Sequence, residues 1–118
     1  MNLNSILIGS ENPRNLAAYY TRLFGKPGWD ADDFTGWQIG SGWMTVGPHD
    51  QVKGKNIHPG RVIWNIETPD VEGEFKRLKA AGATVIREPY QPGEAPGLIA
   101  TFSDPDDNYF QLMSPMQV

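Results

Sequence analysis

The chain has no cysteine and only two histidines, His49 and His58, among its 118 residues. Without thiols it can form no disulfide, no zinc knuckle and no cysteine nucleophile, and a cytoplasmic location fits that lack. Basic residues are also scarce. Ten Lys and Arg stand against fourteen Asp and Glu, giving a formal net charge of -4. That balance argues against a nucleic-acid partner, because phosphate neutralisation needs a basic face. No apolar run approaches the roughly 20 residues that span a bilayer, so no membrane partner is expected. Residues 1–5 carry no positive charge and no apolar core, so no signal peptide is expected either.

What is present describes one folded domain over residues 1–118, large enough to bury roughly two thirds of its unfolded surface. Hydrophobic residues make up 39% and aromatics 11%, and four of the latter are tryptophan. Four Trp in so short a chain point to an aromatic-lined pocket.

The chain repeats one pattern. Ile6-Leu7-Ile8 is a short strand, after which Asn12 stands as a cap and Pro13 takes the first helical position, where its missing N–H is harmless. Leu16, Tyr19, Tyr20 and Leu23 then fall on one helix face, and Gly25 stops the helix. In the second half residues 61–66 read as a strand and Thr68-Pro69 as the cap and first-turn proline. Val71, Phe75 and Leu78 share a face, and Gly82 ends the helix. Ile6, Ile8, Pro13 and Tyr19 map onto Val62, Trp64, Pro69 and Phe75 at a constant offset of 56 residues, the mark of a duplicated supersecondary unit.

Strand material follows each helix: residues 36–39 and 43–46 around a Gly40-Ser41-Gly42 turn, then residues 83–88 and 98–103, and finally 109–113. A middle strand of the first half is expected within residues 30–34. The fold class is therefore α+β, two β-α-β-β-β modules of about residues 1–50 and 58–118, joined through the Gly/Pro-rich residues 47–60. A second loop spans residues 91–97. Between the last two strands lies Asp104-Pro105-Asp106-Asp107-Asn108. Pro105 presets φ for a turn, Asp104 can accept from following amides, and Asp107 or Asn108 can take the left-handed conformation.

The first strand, the helix ending Tyr19-Tyr20-x-x-Leu23-Phe24-Gly25, the second helix ending Leu78-Lys79-Ala80-Ala81-Gly82-Ala83-Thr84-Val85, and the Asp-Pro turn resemble the vicinal oxygen chelate superfamily over nearly the whole chain. This is the group of glyoxalases, bleomycin-resistance proteins and extradiol dioxygenases, and the resemblance is to its small glyoxalase-like members. One departure is Asp107, where the family commonly has glycine. The resemblance implies curved mixed sheets around a half-open cavity, with helices outside. Strand parity agrees, since side chains alternate between faces. Ile6, Ile8, Val62, Trp64, Ile66, Phe110 and Leu112 then pack under helices, while Ser5, Leu7, Arg61, Ile63, Asn65, Tyr109, Gln111 and Met113 face the cavity.

Metal-dependent members place His or Glu on four strands. The corresponding positions here are Ser5, a residue near Thr45, Ile63 and Gln111. A divalent transition ion prefers imidazole and carboxylate, whereas these residues offer neutral oxygens and, at Ile63, no donor at all. No metal and no other cofactor is therefore expected. His49 and His58 lie in the joint without His-x-x-x-His spacing.

The candidate ligand-binding residues are Trp37, Trp43, Arg61, Asn65, Tyr109 and Gln111. Trp37 and Trp43 flank the glycine turn, where they either stack on a flat or cationic ligand or pair across the hairpin. Arg61 can meet a carboxylate or phosphate, and Asn65 and Gln111 can orient a ligand by hydrogen bonds or bond each other. Trp64 reads as core, and Trp29 as a loop cover or a subunit contact. Glu67 and Asp70 read as servants of the second helix start, and Glu72, Glu74, Lys76, Arg77 and Lys79 as its solvated side. No catalytic set can be assembled. The expectation is a metal-free homodimer that binds a small aromatic or cationic molecule, as in antibiotic sequestration. The alternatives are a glyoxalase-like lyase or isomerase, and a partner-binding module with a vestigial pocket.

Overall fold

The computed structural model describes residues 1–116; residues 117 and 118, the end of the expected second module, lie outside the described residues. The first unit, Met1–Lys55, contains β1 (Ser5–Ser10), α1 (Pro13–Phe24), β2 (Trp29–Ala31), β3 (Phe34–Ile39) and β4 (Gly42–Pro48). The second, from Asn56 onward, contains β5 (Trp64–Glu67), α2 (Val71–Ala80), β6 (Thr84–Tyr90), β7 (Ile99–Ser103) and β8 (Tyr109–Met113). Each is a β-α-β-β-β module with an open, mixed four-stranded sheet. The strand orders are β1-β4-β3-β2 and β5-β8-β7-β6, with the first and last strands of each module parallel.

Each sheet buries one face under its own helix. In the first unit Leu16, Tyr19, Tyr20 and Leu23 of α1 join Trp37, Met44 and Val46 in the core. In the second, Val71, Phe75 and Leu78 of α2 meet Ala100, Phe102, Phe110 and Leu112. The Phe102 ring stacks 5.3 Å from Phe110, which stacks 5.2 Å from Trp64, so Trp64 belongs to the core side. Burying each large apolar side chain contributes about 1.5–3 kcal/mol, which fixes the register of both sheets.

The helix starts differ from the sequence expectation. Asn12 occupies the cap position of α1 but makes no side-chain cap bond; its own N–H donates to Ser10 Oγ at 2.9 Å. The second helix begins two residues later than Thr68-Pro69 implies. Asp70 is its cap and accepts from Gly73 N at 2.9 Å, because a carboxylate placed there satisfies a free amide of the first turn. The middle strand of the first unit is Trp29–Ala31, followed by a turn in which Asp32 and Asp33 take φ of 55° and 68°.

The strand expected over residues 61–66 begins only at Trp64. Arg61 N donates to His58 O at 3.0 Å, so residues 58–61 form a turn after Pro59 and the chain extends later. Val62, expected beneath a helix, is 74% exposed. The Asp-Pro turn is as expected: Asp104 is buried, accepts from Asp106 N and Asn108 N at 2.9 Å each, and Asp107 takes φ of 63°.

Candidate functional site

The face of each sheet turned away from its helix is where side chains remain available. In the first unit this face carries Ser5 and Leu7 of β1, Trp43 and Thr45 of β4, Gln38 and Gly36 of β3, and Trp29 of β2, as the register shows. Three aromatic rings lie on it, and each sits over a glycine. Trp29 covers Gly36, Phe34 covers Gly47, and the Trp43 ring edge reaches 2.9 Å from where a Gly28 Cβ would stand. A glycine leaves the backbone bare, so a ring can lie flat against it and turn its other face outward. Trp29 remains 42% exposed, and no carboxylate stands among the residues of this row.

Trp37 is not part of that surface. It is buried beside Tyr20, and its Nε1 donates to Gly25 O at 2.9 Å. The expected cross-strand pair with Trp43 is absent too, because the two-residue turn pairs Trp37 with Met44 and Gln38 with Trp43. The two indoles therefore take opposite faces. Trp29, read from the sequence as a loop cover or a subunit contact, lies on the face where Trp37 was expected.

In the second unit the helix-free face is polar at its centre. Asn65 is the register partner of Gln111, Gln111 of Thr101, and Thr101 of Arg87, a row that crosses all four strands. Gln111 Nε2 donates to Thr101 Oγ1 at 3.0 Å, which holds that amide in the sheet plane's shadow. Tyr109 stands one step along, opposite Ser103. The structure thus brings Asn65, Gln111 and Tyr109 onto one face and leaves Arg61 off it. Arg61 lies in the turn and lines a shallow hollow with Ile57, His58, Pro59 and Gly60.

Beside the polar row is a cavity of about 420 Å³ lined by Pro92, Pro96, Leu98, Ile99, Met113 and Met116 among others. Ile99 and Met113 are register partners on the same face as Gln111. The loop over the cavity is closed by Gln91, whose Nε2 donates to the carbonyls of Glu94 and Ala95 at 3.2 and 3.1 Å. Thr101, Arg87 and this cavity were not anticipated. The alternation through residues 99–103 marks Thr101 as a partner for Gln111, whereas the bulges that place Arg87 leave no sequence signal.

The four positions that the resemblance implies for a metal are Ser5, a residue near Thr45, Ile63 and Gln111. Ser5 and Thr45 lie on β1 and β4, Gln111 is already bonded to Thr101, and Ile63 has no donor. Among the described residues no group of three His, Cys, Asp or Glu side chains could hold an ion. His49 Nδ1 instead accepts from Gln51 N at 3.1 Å.

Two tandem β-α-β-β-β modules of this kind define the vicinal oxygen chelate superfamily. The chain belongs to the glyoxalase-like domain family, whose model matches residues 5–113. No curated protein matches it. Solved structures share the fold. A glyoxalase-related enzyme from Fulvimarina pelagi is 19% identical with a TM-score of 0.77, over 98% of this chain and 88% of its own. A glyoxalase/bleomycin resistance protein/dioxygenase family enzyme from Burkholderia phytofirmans PsJN is 20% identical, with a TM-score of 0.75 over 98% and 100%. The fosfomycin resistance protein FosX from Listeria monocytogenes is 15% identical, with a TM-score of 0.65 over 98% and 93%. Among the described residues no helix is long and apolar enough to cross a membrane.

Proposed function

We propose that this protein binds a small, flat aromatic or cationic molecule without a metal ion, and acts by holding it. The observation that carries this reading is the set of rings of Trp29, Phe34 and Trp43 laid over Gly36, Gly47 and Gly28. Three π-faces on one sheet suit stacking on a planar ligand, and their negative faces favour a cation when no competing guanidinium or ammonium sits among them. The formal net charge of -4 works in the same direction. A homodimer goes with this reading, and light scattering checks it.

The lyase or isomerase alternative needs an acid, base or Lewis acid at the reacting atoms. The helix-free faces supply amides, hydroxyls and one guanidinium, which suit orientation better than proton transfer at neutral pH, and a single carboxylate, Glu67, on the edge strand β5. The test is a thermal-shift screen with bleomycin-type glycopeptides, flat aromatic cations and glutathione hemithioacetals, each with EDTA and with divalent metals. A ligand at a hundred times its dissociation constant adds about 2.7 kcal/mol of stability. The reading expects stabilisation by an aromatic compound in EDTA and its loss in Trp43→Ala; metal-dependent turnover of a hemithioacetal contradicts it.

A further inference from the structure

Strand β6 pairs irregularly with β7: its register shifts between Val85 and Arg87 and again between Arg87 and Tyr90. Bulges re-aim side chains. Here they bring two residues three apart onto one face, where regular alternation would separate them, and the Arg87 guanidinium carbon lies 3.3 Å from the centroid of the Tyr90 ring. Stacking fixes the guanidinium through its π-face and leaves its N–H edge for a planar acceptor. Among the described residues no carboxylate forms an ion pair with Arg87. From it runs the row of Thr101, Gln111 and Asn65, whose side-chain amides retain N–H donors. Ile99 and Met113 border that row and open into the apolar cavity of about 420 Å³.

We infer that this face is a second binding site, for a small monocarboxylate with an apolar body. The carboxylate meets Arg87 and the amides, and the body enters the cavity above Ile99 and Met113. Arg87 on β6 is the cation of this face, and Glu67, the register partner of Met113 on the opposite edge strand β5, repels a second negative group, so the site selects a monoanion over a dianion. The assignment goes beyond the stacking surface of the first unit and holds whether or not that surface takes a ligand.

The test uses the full chain and two probes of one shape, 3-phenylpropionate and its uncharged amide 3-phenylpropanamide, titrated by ¹H–¹⁵N correlation spectra. The acid is expected to perturb Thr101 and the side-chain amides of Gln111 and Asn65, and to bind at least about tenfold more tightly than the amide. Arg87→Ala removes the preference, Arg87→Lys restores it in part, and Asn65→Ala weakens acid binding without moving the unfolding midpoint. Trp43→Ala leaves the preference intact, which separates failure of this site from failure of the stacking surface. Equal binding of acid and amide, an unchanged preference in Arg87→Ala, or no perturbation at these residues overturns the proposal.

Discussion

Asp104 shows how much one carboxylate can organise. It is 3% exposed, yet it accepts from two backbone amides and from Asn108 Nδ2, so the turn between β7 and β8 is built around it. Asp104→Ala leaves those donors unanswered and is expected to cost about 3 kcal/mol in urea unfolding, with Asp104→Asn losing roughly half as much. The glycines under the aromatic rings make the opposite kind of demand. A methyl group at position 47 meets the Phe34 ring, so Gly47→Ala is expected to cost about 1–3 kcal/mol and to weaken aromatic binding. An unchanged stability would mean that Phe34 moves aside freely. At this scale Trp37 was legible and misread: the Gly40-Ser41 turn pairs Ile39 with Gly42, so residues 37 and 43 have opposite parity. Arg87 was not legible, because period-two alternation fails across a bulge.

The two helix starts make a controlled pair at the level of elements. Asn12 and Asp70 both hold cap positions, but only Asp70 bonds an amide of its helix. Asp70→Ala is therefore expected to cost about 1 kcal/mol and Asn12→Ala less than about 0.5 kcal/mol, read as shifts of the denaturation midpoint. Similar losses for both would show that the side-chain bond is not what distinguishes them. The sequence carried the order of all ten elements and the boundaries of β8 closely, since apolar periodicity and turn residues agree there. It missed where β5 begins because Val62 and Ile63 continue the apolar run of residues 64–66, while the turn bond from Arg61 N to His58 O delays the strand. The repeat offset misled at α2: it equated Pro69 with Pro13, although the carboxylate that caps the helix lies one residue further on.

Across the whole molecule, the chain passes from one unit to the other within a very short stretch. Gly54 N donates to Glu11 Oε1 in the first unit at 2.9 Å, while Asn56 N donates to Asp106 O at 2.8 Å and its Nδ2 to Asn108 Oδ1 at 3.1 Å in the second. Lys55 lies between these anchors. Asn56→Ala is expected to speed tryptic cleavage after Lys55 several-fold without changing the helix content seen by circular dichroism; equal cleavage rates would show that the Asp-Pro turn does not tether the joint. The fold was legible from residue order, because duplication is a property of the string. The aromatic surface was not, because it depends on which glycine faces which ring across strands. That surface is also where the functional reading stands or falls. The most direct measurement is a tryptophan-fluorescence titration with a flat aromatic cation, run in EDTA and again with zinc, nickel, manganese or ferrous ion. The predicted result is one saturating curve with the same dissociation constant in every case, lost when Trp29 and Trp43 are replaced by alanine. Saturation only in the presence of metal, or binding that survives both replacements, would contradict it.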